Sequence, residues 1–165
     1  MVFNKIEEII EMSKRGCLRG CGILLALAVV VFLLIQLIPY GKNHTNPAVV
    51  SQPKWDSPQT LALARRACFD CHSNETIWPW YSNIAPVSWL VQMDVDGGRR
   101  RLNFSTWGAA STTGRSGGRG AGDVTEAISR GSMPPFQYLL EHPAANLTPA
   151  EKQQLILGLQ ASLGQ

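Results

Sequence analysis

Histidine and cysteine are scarce in this chain, which has three of the first and four of the second. A structural zinc site takes about four protein ligands, usually completed by a second Cys or His pair. Here an apolar segment separates Cys17 and Cys21 from Cys68 and Cys71, and His44 and His142 stand alone, so zinc is disfavoured. No βαβ pattern surrounds Cys68 and Cys71, and a histidine follows them, which argues against a thioredoxin-like dithiol. No pairing of acid, base and nucleophile marks a substrate site, and the chain is not expected to be an enzyme. Charge is also sparse, at 16% of residues. From Gly41 onward 11 basic residues stand against 9 acidic ones, a near balance that gives no basis for nucleic-acid binding and little for electrostatic steering.

Apolar residues, by contrast, are concentrated in one place. The run from Cys21 to Tyr40 has Gln36 as its only strongly polar side chain, and at a rise of about 1.5 Å per residue it spans the ~30 Å hydrocarbon core of a bilayer. It is longer than the ~7–15 residues of a signal-peptide core, and no A-x-A-like cleavage site follows it, so it is read as an uncleaved single-span anchor. Lys14, Arg15 and Arg19 precede the span, whereas only Lys42 and Lys54 follow closely. The positive-inside rule then places the amino terminus in the cytoplasm and the carboxyl domain on the outer side. Residues 1–20 carry apolar positions at helical spacing and read as an amphipathic segment on the membrane surface or against a partner helix. Cys17 and Cys21 read as small residues at a helix boundary. The Leu18–Cys21 resemblance to a lipoprotein box fails because the box precedes the apolar run.

Residues 41–56, with Asn43, Asn46, Pro47, Ser51 and Pro53, read as a linker that lifts an external domain off the membrane. Residues 57–165 then form that domain. Ser57-Pro58 opens a helix, since serine caps and proline suits the first turn. Thr148-Pro149-Ala150-Glu151 is a capping box, and Leu155, Ile156, Leu159 and Leu163 give the helix after it an apolar stripe. Residues 108–122 are rich in Gly, Ser, Ala and Thr, offer nothing to bury, and read as a flexible loop.

Cys68-Phe69-Asp70-Cys71-His72 is a C-x-x-C-H motif, the attachment signature of a c-type haem. Two thiols three positions apart lie on one side of a helical turn and can add to the two vinyl groups of one porphyrin. The adjacent histidine brings an imidazole to the iron as proximal ligand. A second constellation is Gly131-Ser132-Met133-Pro134-Pro135. A thioether is a soft, neutral iron ligand, and two prolines stiffen the backbone that carries it. Met133 is therefore the first candidate for the distal position, with His142, Met93 and an open iron as alternatives. Trp78, Trp80, Tyr81 and Trp89 could wall a porphyrin edge, and Arg99, Arg100 and Arg101 could pair with propionates.

These stretches, together with Trp78-Pro79-Trp80-Tyr81-Ser82, Ile84-Ala85-Pro86-Val87-Ser88-Trp89, Gly98-Arg99, Leu102–Trp107, Tyr138, His142-Pro143 and Leu147-Thr148, resemble the bacterial haem-binding domain family of membrane-anchored monohaem c-type cytochromes. The likeness covers roughly Leu61 to Leu163, and the chain departs from the family in the Gly/Ser-rich stretch between Trp107 and Asp123. The resemblance implies one covalent haem c on Cys68 and Cys71, with His72 proximal and Met133 distal. It also implies attachment on the outer, periplasmic face of the cytoplasmic membrane. The expected fold is all-α, a cytochrome c-like haem domain on a single N-terminal transmembrane helix. The expected function is one-electron transfer between redox donor and acceptor proteins, as a tethered carrier or as a subunit of a respiratory or photosynthetic complex. The rival readings are a haem-based redox or gas sensor and a peroxidase-type enzyme.

Overall fold

A computed structural model of the chain describes residues 2–108 and 121–163. The fold is all-α, with no strand among the described residues and only an isolated parallel bridge between Ser51 and Thr106. Helix α1 runs Val2–Ile35 without a break, so the surface segment expected over residues 1–20 and the span expected to begin at Cys21 are one helix. Nothing in its sequence forces a division, since no proline occurs before Pro39. The stretch long and apolar enough to cross a membrane is Gly16–Ile35, 20 residues, displaced toward the amino terminus from the expected 21–40. Pro39 disfavours helical geometry at the residue before it, and the chain turns at Gln36 and Leu37, three residues short of the proline.

The region after α1 is built from α2 (Pro58–Ala67), α3 (Phe69–His72), α4 (Val87–Arg101), α5 (Ala121–Ser129), α6 (Phe136–Glu141) and α7 (Pro149–Leu163), with 3₁₀ turns at Trp80–Asn83 and Pro143–Ala145. The two sequence-encoded helix starts form as expected. The Ser57 hydroxyl accepts the Thr60 amide at 3.2 Å. Thr148 and Glu151 cap each other reciprocally, the Thr148 amide donating to Glu151 Oε2 at 2.8 Å and the Glu151 amide to Thr148 Oγ1 at 3.3 Å. Glu151 also pairs with Arg66 of α2, and that guanidinium, followed by the Thr148 groups, holds its carboxyl down at about 2. Most of the stretch read as a loop, residues 108–122, lies outside the described residues; its last two positions, Ala121 and Gly122, belong to α5.

The core lies where α2, α3, α5 and α7 meet, around Leu63, Phe69, Phe104, Leu155 and Leu159. Phe69 and Phe104 stack at 5.5 Å, and Trp55 tilts against Phe104 at 5.3 Å. Trp55 belongs to the expected linker, and the structure overturns that reading. Residues 41–56 lie along the domain. Ala48 O accepts from Asn74 at 2.9 Å, and Asn46 donates to Thr76 O at 2.9 Å. The Ser51 hydroxyl bonds the Trp107 carbonyl, and the Asp56 amide donates to Ser162 Oγ at 3.0 Å. Polar and proline-rich composition looks like a tether, but here it satisfies backbone groups that the short helices leave open.

Helices α2 and α7 cross at Gly158. A Cβ there would stand 2.0 Å from Thr60 Oγ1 and 2.6 Å from its Cγ2. Alanine would gain about 1 kcal/mol of helix propensity at this helical position, yet Thr60 is short, β-branched and fully buried, and cannot swing aside. Gly158→Ala should therefore lower stability, by about 1–3 kcal/mol net of overpacking, read as a drop in thermal midpoint. A gain in midpoint would show that the α2–α7 contact can part at no cost.

Candidate functional site

The Cys68–His72 turn is held between two helices. Its first residue ends α2, the Cys68 amide donating to Ala64 O at 2.8 Å, and the His72 amide then donates back to Cys68 O at 2.9 Å. Both thiols therefore sit on one turn. From the other side α4 presses on it through Gly98, where a Cβ would stand 2.2 Å from the Cys71 carbonyl oxygen and 3.0 Å from Cys71 Cβ. Only glycine lets the backbones approach this closely. The same approach brings the end of α4 to the histidine. His72 Nδ1 lies 3.1 Å from Leu102 O, and because a carbonyl can only accept, Nδ1 carries the proton and Nε2 is left with its lone pair.

A cavity of about 410 Å³ opens beside this turn, within the range of cofactor sites. Cys68, Cys71 and His72 line one wall with Met93, Gly98 and Leu102 of α4 and its end. The facing wall comes from α5, the segment after it and α7, including Val124, Ile128, Met133, Pro135 and Leu155. Among the described residues α4 does not pack on α5 or α7; the cavity lies between them. Met133 is presented by the end of α5. Gly131, at φ +70°, closes a Schellman motif in which the Gly131 amide donates to Ile128 O and the Ser132 amide to Ala127 O, each at 3.0 Å. The Met133 amide adds a bond to Ala127 O at 3.2 Å. One polar link crosses between the two walls: Tyr138 donates its hydroxyl to Asp70 Oδ2 at 2.7 Å, while Asp70 Oδ1 accepts the Ile77 amide at 3.0 Å.

Burial dominates the titration of the site. It pushes Cys68 up to about 12, with the neighbouring Cys71 adding to it, and Cys71 likewise to about 12, with Asp94 and Asp70 adding to it. Burial lowers His72 below the ordinary histidine value, against the Leu102 and Gly98 carbonyls that pull it up, which keeps the imidazole neutral. Tyr138 is raised by burial and by its bond to Asp70.

All four predicted site residues, Cys68, Cys71, His72 and Met133, line this one cavity. Of the alternative ligands, Met93 lines it as well, whereas His142 does not: its ring stacks on Tyr138 at 4.1 Å and its Nδ1 bonds the Tyr138 carbonyl. The aromatic wall expected from Trp78, Trp80, Tyr81 and Trp89 is not there. None of the four lines the cavity; Trp78 instead stacks on His44 at 4.7 Å. The aromatic lining comes instead from Phe104 and Tyr138. Arg99 is likewise committed elsewhere, donating to Ser73 O, Thr45 O, Asn46 Oδ1 and Thr76 Oγ1 at 2.8–2.9 Å. Arg101 does reach the cavity, together with Lys152, which sequence reasoning had passed over.

The donor set suits a haem. Two thiols, an imidazole with Nε2 free and two thioethers surround a largely apolar space, which Arg101 and Lys152 line together with Asp70, Asp94 and Asp123. Comparison with known proteins agrees with the geometry. A family model described as a haem-binding domain matches residues 30–161. No curated protein and no solved structure matches the chain.

Gly98 is the position whose role was invisible in the sequence, and its substitution tests the site directly. Gly98→Ala must move α4 away from the Cys71 carbonyl and take Leu102 O from His72. Haem content per polypeptide should fall severalfold while far-ultraviolet circular dichroism still shows a helical protein. Full loading with an unshifted spectrum would mean that the close approach is not needed.

Proposed function

The chain belongs to the haem-binding domain family, and on that premise we propose that it is a membrane-anchored monohaem c-type cytochrome that carries single electrons on the outer, periplasmic side of the cytoplasmic membrane. The observation that carries this reading is the convergence of Cys68, Cys71, His72 and Met133 on one cavity from segments about 60 residues apart. When bound, the haem supplies a one-electron couple whose potential its axial ligands tune. The protein's part is attachment and mounting. Cys68 and Cys71 would hold the haem by one thioether bond each, the S–H of each thiol adding across one vinyl C=C bond so that no co-reactant is needed. His72 offers Nε2 because Leu102 O holds the proton on Nδ1. Met133 offers its thioether from a backbone fixed by the α5 cap.

One pair of polar groups at the cavity supports carrier over enzyme: Asp70 and Tyr138, which could otherwise serve as an acid–base pair, are bonded to each other, and Asp70 is also bonded to the Ile77 amide. Asp94, raised by burial, lines the cavity as well and is the carboxylate an enzyme reading would turn to. The partners are redox donor and acceptor proteins, either freely diffusing or as subunits of one complex. The orientation, haem domain outside, rests on Lys14, Arg15 and Arg19 before the apolar helix. One observation favours the sensor reading: α1 is continuous and joined to the domain without a flexible tether, which is what a relay would need. The two differ at the sixth position of the iron, closed in a carrier and exchangeable in a sensor.

Acid-acetone extraction of the purified protein should leave the haem on the polypeptide; partition into the solvent would refute covalent attachment. Carbon monoxide should not bind the reduced wild-type protein. Met133→Ala should open the iron to carbon monoxide and lower the potential by on the order of 0.1 V, within the ~0.8 V that axial ligation commands, while His142→Ala should do neither. If Met93→Ala produces these changes instead, the other thioether in the cavity is the ligand.

A further inference from the structure

The end of α1 is fastened to the haem domain by specific bonds. The Gln36 side-chain amide pairs with the backbone of Ala85, Nε2 donating to Ala85 O and Oε1 accepting the Ala85 amide, both at 2.9 Å. Lys42 Nζ returns to the Gln36 carbonyl. Gly41, at φ +79°, lies so close to α4 that a Cβ would stand 2.4 Å from Ser88 O. His44 then bonds Ser82 through Nε2 at 3.0 Å. The chain has no slack between the apolar helix and the domain.

That fastening sets the height of the domain. The span Gly16–Ile35 has 20 residues, about 30 Å at 1.5 Å per residue, which matches the hydrocarbon core and puts Gln36 at its edge. Ala85 and Ser88 are at that edge with it. Close to them in sequence stand exposed apolar side chains: Trp80 is 76% exposed, Leu90 59%, and Ile84 and Val87 about 40% each. Leu37 and Tyr40 continue the patch on the α1 side. Between Glu75 and Asp94 the sequence has no Lys, Arg, Asp or Glu. A surface that meets water or docks a soluble carrier is expected to hold some charge. One that meets the headgroup–acyl boundary holds Trp, Tyr and aliphatic residues.

We propose that the flank formed by Trp80, Ile84, Val87 and Leu90 is immersed in the headgroup–acyl boundary of the bilayer that α1 crosses, so that the haem domain is seated on the membrane rather than tethered above it. The inference rests on reading α1 as a span. Its occupant is the lipid surface itself, because the bonds that fix Ala85 to Gln36 hold this stretch at the end of the span. Helix α4 then acts as a strut. Ser88 at its seated end and Gly98 at the Cys71 carbonyl are ten residues apart, so the attachment turn stands no more than about 15 Å from the seat along the helix axis.

The test uses the full-length, haem-loaded protein in vesicles of phosphatidylcholine and phosphatidylglycerol. A benzoylphenylalanine photoprobe is placed in turn at Leu90, at Leu27 within the span, and at Leu157, an exposed position of α7. The haem spectrum confirms that each probe protein is folded. After irradiation, the Leu90 and Leu27 proteins should gain the mass of one phospholipid and the Leu157 protein should not. A phospholipid adduct at Leu27 without one at Leu90 overturns the seating while leaving the span intact. No adduct at Leu27 overturns the span, and the seating with it. A protein–protein adduct at Leu90 shows that another chain covers the flank and overturns the proposal.

Discussion

The contact between Gly98 and the Cys71 carbonyl is the constraint on which the rest of this structure depends. It joins α4 to the Cys68–His72 turn with no side chain between them. From that contact α4 reaches two ways. Its carboxyl end delivers Leu102 O to His72 Nδ1 and so selects the tautomer that leaves Nε2 free. Its amino end receives Gly41 against Ser88 O. Two glycines with unrelated backbone conformations therefore fix both ends of one helix, and the orientation of the imidazole is coupled to where α1 leaves the domain.

Polar clamps complete what so small a core cannot hold. The packed cluster is limited, and the cavity occupies much of the space where a larger core would lie. Arg99 makes four hydrogen bonds to residues from three segments, Thr45-Asn46, Ser73 and Thr76. Bonds of this charged kind contribute about 1.5–3 kcal/mol each where partly buried, and only a guanidinium has the fixed fork to reach several acceptors at once. The Tyr138–Asp70 bond does for the two walls of the cavity what Arg99 does for the turn. By comparison the exposed Arg130–Glu126 pair contributes little.

How much of this could be read from the sequence depended on whether a residue's role is local. The Ser57 and Thr148 caps, the C-x-x-C-H turn and the proline-flanked Met133 act through neighbours within a few positions, and their patterns name their geometry. Roles set across the fold were hidden. Trp55 looked like linker because Asn, Pro and Ser surround it, yet it packs on Phe69 and Phe104. The tryptophans after the motif look like haem wall because they are near it in sequence, but none lines the cavity, and Trp78 is held by His44 and Asn46 instead. Gly98-Arg99 belongs to the family pattern, but nothing in the sequence ties Gly98 to Cys71, because a close approach leaves no mark except the missing side chain.

The distal side shows the same distinction at the level of two thioethers. Met93 and Met133 both border the cavity, but their backbones are anchored differently. Met93 sits mid-helix on α4 with 58% of its surface exposed, so its three rotatable bonds are restrained only weakly. Met133 follows a Schellman cap, hydrogen-bonds Ala127 O through its own amide and precedes two prolines with fixed φ. A ligand bond has to offset the entropy of ordering the side chain that makes it. A residue whose backbone is already ordered would lose less on coordinating a metal, and the wall that carries Met133 is tied back to the Cys68–His72 turn through Tyr138 and Asp70. Met133 thus stands above Met93 as a candidate ligand by the mounting of the residue rather than by its chemistry, which the two share.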